Sequence, residues 1–377
     1  MLTARERLKY WWNNSPDPAV GYARQRLDPN LPEPIRSSVE DDPQSFSLSY
    51  AGYASGEVNI LQLLERLRSK TSPGHVARST DDDTPADIDL HGSPSLTPGP
   101  STGIELPFRI HLVVDTPDPS TVRRNMSKRE RSNFNKTLRD SGVSFTVTTD
   151  PAQVSRFYHS MHVPTMATRH AEQARSDSES GAQDLARRGG LFLMSRDGED
   201  VAGCLFTLHE GVVTTRLLGV LGGRDDLYDD GSFKSLYFGM LDKWSKDPAV
   251  HAVDLFGTEA FMSKGIFVWK RKLGARVAPC PNHFRYKSLF MRVNNPSPAV
   301  RDFLVTNPFI IKHRSELRPV HLYDDGADAP PPNPRVAGLG EPIACPVSEF
   351  LALYGLADRR HHDAPDGHQP PTRGDHT

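Results

Sequence analysis

The run of segments between Gly189 and Gly257 restricts the fold of this chain more than any other stretch. Three strand candidates follow one another, GLFLMSR, the alternating VAGCLFTLHE and VVTTRLLGVL, and the Asp197-Gly198 pair joining the first two is a two-residue hairpin signal. They predict an antiparallel meander. Directly after it, GSFKSLYFGMLDKWSKDP (231–248) places Phe233, Leu236, Tyr237, Met240, Leu241 and Trp244 at helical spacing. HAVDLFG (251–257) then reads as a nearly all-apolar strand, which suits a central position in a sheet covered on both faces.

The flanks extend this pattern. FRIHLVVD (108–115) alternates as a strand, and Ser120 is placed to cap one helix running through about Arg139 to a stop at Gly142. SFTVTTD (144–150) is a further strand. Pro151 after Asp150 opens a helix with Val154, Phe157, Tyr158 and Met161 on one face, which Pro164 is expected to interrupt. A polar helical segment leads to Arg188. MSKGIFVWKRKLG (262–274) predicts a helix ended by Gly274, and RVAPCP with HFRYKSLFMRV predicts two closing strands. The result is a mixed α/β sheet with helices on both faces.

Outside this region the chain is less regular. Residues 1–70 form a small lobe with a short helix (Thr3 to Trp12), a strand-like SFSLSYAGYA and an apolar face of Ile60, Leu61, Leu64 and Leu67. Residues 71–104 are rich in Pro, Gly, Ser, Thr and Asp and predict a disordered linker, because they have too little apolar surface to offset the entropy of ordering. Residues 294–357 are a C-terminal extension and 358–377 a second disordered tail. Only 37% of the chain is hydrophobic and 32 residues are proline, which agrees with substantial chain outside the core.

Lys plus Arg number 45 against 47 Asp plus Glu, so net charge gives no reason to expect a polyanionic partner for the whole molecule, and any basic patch is local. Cys204, Cys280 and Cys345 lie far apart without a C-x-x-C pair, which signals neither a disulfide framework nor a metal site. The N-terminus has no apolar run of signal-peptide length and no window reaches a membrane span, so a cytoplasmic protein without a membrane span is expected.

With its elements in this order, the chain resembles the GNAT acyltransferase superfamily over 105–293, and most of all its Fem-type branch, which includes peptidoglycan-bridge transferases. The resemblance is carried by the basic stretch NMSKRERSNFNKTLRDSGVSF, by VDLFGTEAF and by FVWKRKLGARV, whose lysine, two residues, apolar residue and glycine are similar to the family's helix ending. It implies a GNAT-like, mostly antiparallel central sheet and an N-acyltransferase that passes an acetyl or aminoacyl group from a thioester or ester to a small-molecule or peptide amine. No tightly bound cofactor is implied; acyl-CoA or aminoacyl-tRNA would be the co-substrate. The chain departs from CoA-dependent members in LGGRDDLYDDGSFKSLY, where their phosphate-cradling glycines are missing and Asp225, Asp226, Asp229 and Asp230 would repel a pyrophosphate.

Several residues carry the chemistry of this reading, each beside a plainer role. Asp254, inside VDLFG, and Glu259, just after it, are candidate proton acceptors for the attacking amine, or else partners of nearby backbone. By resemblance Lys270 stabilises the developing oxyanion; it also suits the C-terminal end of a helix dipole. Tyr158, His162, Arg169 and His170 gather around Pro164 and are candidates for the acceptor cleft. Gly231, Ser232 and Lys234 sit at a helix start that favours an anion, or form an ordinary cap. The basic stretch 123–139 is a candidate tRNA contact or a solvated face. Two other functions remain open at this point: a degenerate GNAT-fold binding module, and an RNA-binding protein using that basic stretch.

Overall fold

The structure is a computed structural model that describes residues 3–15, 17, 19–20, 23–24, 46–52, 85–94, 103–170, 178–314, 316–328 and 336–354. The stretch around Ile60 to Leu67, most of 71–104 and the tail beyond 354 therefore lie outside the described residues, as does the side chain of His170.

A seven-stranded sheet forms the body. Its strands are β4 (Ile110–Asp115), β5 (Val143–Thr148), β6 (Gly189–Arg196), β7 (Glu199–His209), β8 (Val212–Val220), β9 (Ala252–Thr258) and β10 (Arg276–Pro279), in spatial order β10-β4-β9-β8-β7-β6-β5. All neighbours are antiparallel except β8 and β9. The sheet is thus mixed and mostly antiparallel, as expected. Two-residue turns close the meander: Asp197 and Gly198 have φ of 51° and 85°, and Glu210 and Gly211 have 46° and 71°, the left-handed pair that matches strand twist in a tight hairpin.

Helices cover both faces. On one side lie α2 (Pro119–Asn125), α3 (Lys128–Arg139), α8 (Ser232–Ser245) and α9 (Gly265–Lys272). The other side carries α4 (Pro151–Phe157), α5 (Val163–His170) and α6 (Glu179–Arg187), with a short α7 (Asp225–Asp229) leading into α8. Strand alternation divides the core between them: Phe192, Met194, Val213, Val253 and Leu255 pack toward α8, whereas Leu191, Leu193 and Leu205 pack on α4 and α6.

The structure corrects four expectations. The helix expected from Ser120 to Arg139 is two helices, capped by Asp118, which accepts from the Thr121 amide, and by Ser127, which accepts from the Glu130 amide. Pro164 does not break its helix. A single π turn over Tyr158–His162, with the Val163 amide reaching back to Tyr158 O, joins α4 to α5, and this wider turn admits a residue that has no N–H to give. Within the expected linker, Ile88–Pro94 forms strand β2, because Ile88 and Leu90 bury one face while Asp87 and Asp89 are satisfied by Ser47, Ser49, Asn294 and Asn295. The two closing strands part company: β10 stays in the main sheet, whereas β11 (Lys287–Val293) joins β1 (Leu48–Ala51), β2 and β3 (Ile104–Pro107) in a second sheet ordered β1-β2-β11-β3.

The C-terminal extension supplies α10 (Pro298–Thr306), β12 (Phe309–His313), β13 (Glu316–Tyr323), β14 (Ile343–Pro346) and α11 (Val347–Leu353), and its Phe303, Phe309, Ile310 and Phe350 belong to the main core. The N-terminal helix is α1 (Ala4–Asn14). Among the described residues no helix is long and apolar enough to cross a membrane.

Candidate active site

Apart from a one-residue bulge of β7 against β6 at Val201, the sheet ladder fails where β8 meets β9. Their parallel pairing covers only Val212–Thr214 against Ala252–Asp254. Each strand then carries an extra residue. Between Cys204↔Leu218 and Phe206↔Thr215, β7 advances two residues and β8 three, so β8 bulges at Arg216–Leu217. Between Val113↔Asp254 and His111↔Gly257, β4 advances two and β9 three, so β9 bulges at Leu255–Phe256. The bulge also turns β8 over: Val213 faces the core under α8, Leu217 the core under α4 and α6.

Phe256 takes up the distortion with φ of 71°, a left-handed conformation that costs a non-glycine residue roughly 1–3 kcal/mol unless its surroundings hold it. Two buried polar side chains hold it. Asp254 Oδ1 accepts from the Phe256 amide at 2.9 Å, and Lys270 Nζ donates to the carbonyls of Leu255 and Phe256, the latter at 3.3 Å. Lys270 comes from α9, three residues after the core residue Phe267 and on the same helix face, and is 4% exposed. Burial pulls its pKa down to about 7, against the opposing charge of Asp254.

A cavity of about 1130 Å³ lies against the sheet face opposite α8. Its floor is made by the outward positions of the distorted strands, Thr214 and Arg216 on β8, Asp254 and Phe256 on β9, and His111 on β4. Asp254 and His111 are 3% and 2% exposed. His111 Nδ1 lies 2.6 Å from Asp254 Oδ2. A neutral imidazole that donates its Nδ1–H to this carboxylate has its lone pair on Nε2. The Phe256 ring is a common platform: His111 packs at 5.3 Å, Arg109 lies over it at 5.3 Å and Arg216 at 5.4 Å.

The other candidate residues are distributed around this centre. Glu259 is buried at the end of β9 and outside the cavity lining; burial opposes its ionisation, yet the charge and hydrogen bond of Lys264 outweigh that and keep its pKa below the ordinary carboxylate value. Tyr158, His162 and Arg169 lie along the far half of β8. His162 Nδ1 is 2.8 Å from Leu218 O, Tyr158 packs on His162 at 5.9 Å, and Arg169 pairs with Asp225 at 2.7 Å while lying 4.0 Å from the Tyr228 ring centre. None of the three lines the cavity, since the π turn keeps the helix continuous and opens no cleft at Pro164.

Gly231 begins α8 in a left-handed conformation (φ 88°), Ser232 is buried and Lys234 is exposed. The Ser232 amide already donates to Asp230 Oδ1 at 2.7 Å, so the protein's own carboxylate occupies part of this helix start. The nearby acids are engaged as well, Asp225 by Arg169, Asp226 by Arg224 and Asp230 by Arg196. The basic stretch lies across the sheet from the cavity, on the α8 side, where Arg124, Lys128, Arg129, Lys136 and Arg139 are exposed, while Arg123 is half-buried over the Phe134 ring and pairs with Asp242.

His111, Phe256 and Arg216 escaped sequence reasoning. A signal for the first was present: in FRIHLVVD the polar Arg109 and His111 alternate with Ile110, Leu112 and Val114, all three buried in the core.

No protein-family model and no curated protein matches the chain. Among solved structures it is similar to FemX, at 10% identity over 77% of this chain and 96% of that one, with a TM-score of 0.42. It is also similar to L-PGS from Bacillus licheniformis (12% identity, 78% and 97% covered, TM-score 0.35) and to a putative acetyltransferase of the GNAT family from Novosphingobium aromaticivorans (15% identity, 64% and 82% covered, TM-score 0.30).

Proposed function

We propose that this protein is an N-acyltransferase in which the gap between β8 and β9 seats an acyl ester or thioester, and His111 with Asp254 removes the proton of the attacking amine. The observation that carries the reading is the buried His111–Asp254 pair on the floor of a cavity, at the one point where the central strands part. Transfer to an amine needs little from the protein beyond alignment and a proton acceptor, because the amine attacks only in its neutral form. Asp254, fixed by the Phe256 amide, orients the imidazole, and Nε2 takes the proton as the new amide bond forms and the donor's ester or thioester bond breaks. In this reading Lys270 acts behind β9, holding the bulge through two carbonyls.

An aminoacyl ester donor such as aminoacyl-tRNA fits better than acetyl-CoA. Asp230 on the Ser232 amide stands where a pyrophosphate would need free N–H groups, and the exposed cations of α2 and α3 offer a phosphate backbone a landing surface across the sheet from the acceptor cavity. The test is a donor screen with the full chain, charged tRNAs against acyl-CoAs, read by intact mass of acylated small amines and peptides. Turnover with an aminoacyl ester that is lost in His111→Gln supports the reading. Turnover with acetyl-CoA at micromolar affinity overturns the donor assignment, and turnover undiminished in His111→Gln overturns the mechanism.

A further inference from the structure

Through the bulge, β9 presents its carbonyls to side chains rather than to a neighbouring strand. Thr215 Oγ1 on β8 donates to Asp254 O at 3.3 Å, Lys270 Nζ on α9 to Leu255 O and Phe256 O, and Arg109 Nη2, just before β4, to Gly257 O at 3.3 Å, so four consecutive carbonyls are met by side chains from three elements. Room for the last donor is left by Gly257. A Cβ there would stand 2.5 Å from Arg109 Nε and 3.1 Å from His111 Cδ2.

Thr215 differs from the other two donors because it spans the gap. The pairing of β8 with β9 ends at Thr214↔Asp254, and the next residue of β8 reaches the same residue of β9 through its hydroxyl. Thr214 and Arg216 line the cavity, so alternation turns Thr215 to the α8 side, where it is fully buried. Packing alone gives no reason for a hydroxyl at this position, since valine has the same shape and a buried hydroxyl costs stability unless it is bonded. The bond it makes fixes the backbone of one particular residue. Asp254 Oδ1 is held by the Phe256 amide and its Oδ2 lies 2.6 Å from His111 Nδ1, so a shift of the Asp254 backbone moves the group that orients the imidazole.

We infer that Thr215 is a positioning residue: its hydroxyl sets the separation of β8 and β9 at the gap and, through the backbone of Asp254, the aim of Asp254 on His111. Its part in catalysis rests on the N-acyltransferase reading; the coupling from Thr215 to His111 does not. A proton acceptor works only within hydrogen-bond reach of the amine, and a displacement of about 1 Å costs up to ~10²-fold in rate.

The experiment compares Thr215→Val, which keeps the shape and removes the hydroxyl, with Thr215→Ser, which keeps the hydroxyl. It reads the ring-nitrogen chemical shifts of His111 in the full chain, assigned by their absence from His111→Gln, because the separation of the Nδ1 and Nε2 shifts reports the hydrogen bond at Nδ1 and needs no substrate. Thr215→Val should change that separation, and with the aminoacyl-tRNA and amine pair found by the donor screen it should lower kcat by about tenfold or more with little change in KM. Thr215→Ser should restore both. Should Thr215→Val not fold, Thr215→Cys gives the same comparison, since a thiol is a weak donor. A folded variant without the hydroxyl that keeps the parent's His111 shifts overturns the inference, whether or not kcat falls, because the side chain would then not act through Asp254. The two readings fail separately: His111 shifts that change in Thr215→Val, in a parent that acylates no amine, remove the enzyme and leave the coupling, whereas an active parent whose kcat and His111 shifts survive Thr215→Val keeps the enzyme and loses the role of Thr215.

Discussion

The β5–β6 side of the sheet and the β8–β9 junction are built from the same kinds of residue and come out differently. β5 and β6 pair through six consecutive positions without a shift, and Gly190 to Ser195 are buried around Leu191, Phe192, Leu193 and Met194. At the junction, pairing stops after three positions, both strands bulge, and the buried side chains include Asp254, His111 and Lys270. A complete ladder satisfies its own backbone and asks its side chains only to pack. Where the ladder is interrupted, carbonyls and amides are released inside the protein, and buried polar side chains must answer them. The same interruption leaves the room in which those side chains can meet a substrate.

This contrast predicts that damage on the regular side harms stability and spares chemistry. Phe192, fully buried and stacked on Phe145 at 5.6 Å, should cost about 3–5 kcal/mol when cut to alanine, measured by denaturant unfolding, with kcat of the remaining folded protein unchanged. A fall in kcat of the folded protein as large as that in His111→Gln would erase the distinction between the two regions. At the junction the reverse is expected. His111→Gln keeps a donor for Asp254, and Asp254→Asn keeps an acceptor for the Phe256 amide, so each should remain folded while kcat falls by ~10²-fold or more with little change in KM, about 2.7 kcal/mol on the barrier. Glu259→Gln should behave like a core change, since its partner is Lys264 and it does not line the cavity.

The two regions also differed in how readily they could be read from the sequence. The meander, its Asp197-Gly198 turn, the helix after Gly231 and the buried strand through Val253 and Leu255 were legible because strand and helix periods and turn chemistry are local properties. Asp254 was visible as an acid inside an apolar strand. Its partner was not, because His111 is brought to it by pairing of β4 with β9 across 143 residues, and the bulges that aim both side chains depend on register. The π turn was hidden by a proline that would end most helices, and strand β2 by a composition suited to a linker; its pairing with β11, some 200 residues away, supplies order that its own residues do not announce.

An intermediate case lies along β8 beyond the bulge. Gly219 pairs with Gly203, and a Cβ on Gly219 would fall 2.6 Å from the backbone of Met161 and His162. Gly219→Ala should therefore push the π turn off the strand and cost about 1–3 kcal/mol in stability. Because Tyr158, His162 and Arg169 lie outside the cavity, kcat of the folded variant should change little; a loss comparable to His111→Gln would return those residues to the substrate site.

The finest test of the comparison concerns Lys270, where one side chain serves the interruption from within the core. Its pKa is near 7 in the folded protein against an ordinary value of 10.5. Between these values the unfolded chain binds a proton that the native protein does not, so stability should rise with pH across that window by up to about 1.4 kcal/mol per unit, and level off on either side. As a neutral amine Lys270 has two N–H groups for two carbonyls, those of Leu255 and Phe256, and Lys270→Met leaves both oxygens without that donor. The variant should thus be less stable than the parent near pH 10. As pH falls toward 7 the parent loses its advantage while the methionine does not titrate, so the two unfolding curves should draw together and can cross. Denaturant unfolding of both proteins at intervals from pH 7 to 10 gives the difference directly, and other titrating groups cancel in it. A difference independent of pH would mean that Lys270 keeps an ordinary ammonium in the folded state, and the junction would then be held by charge rather than by a neutral donor matched to two freed carbonyls.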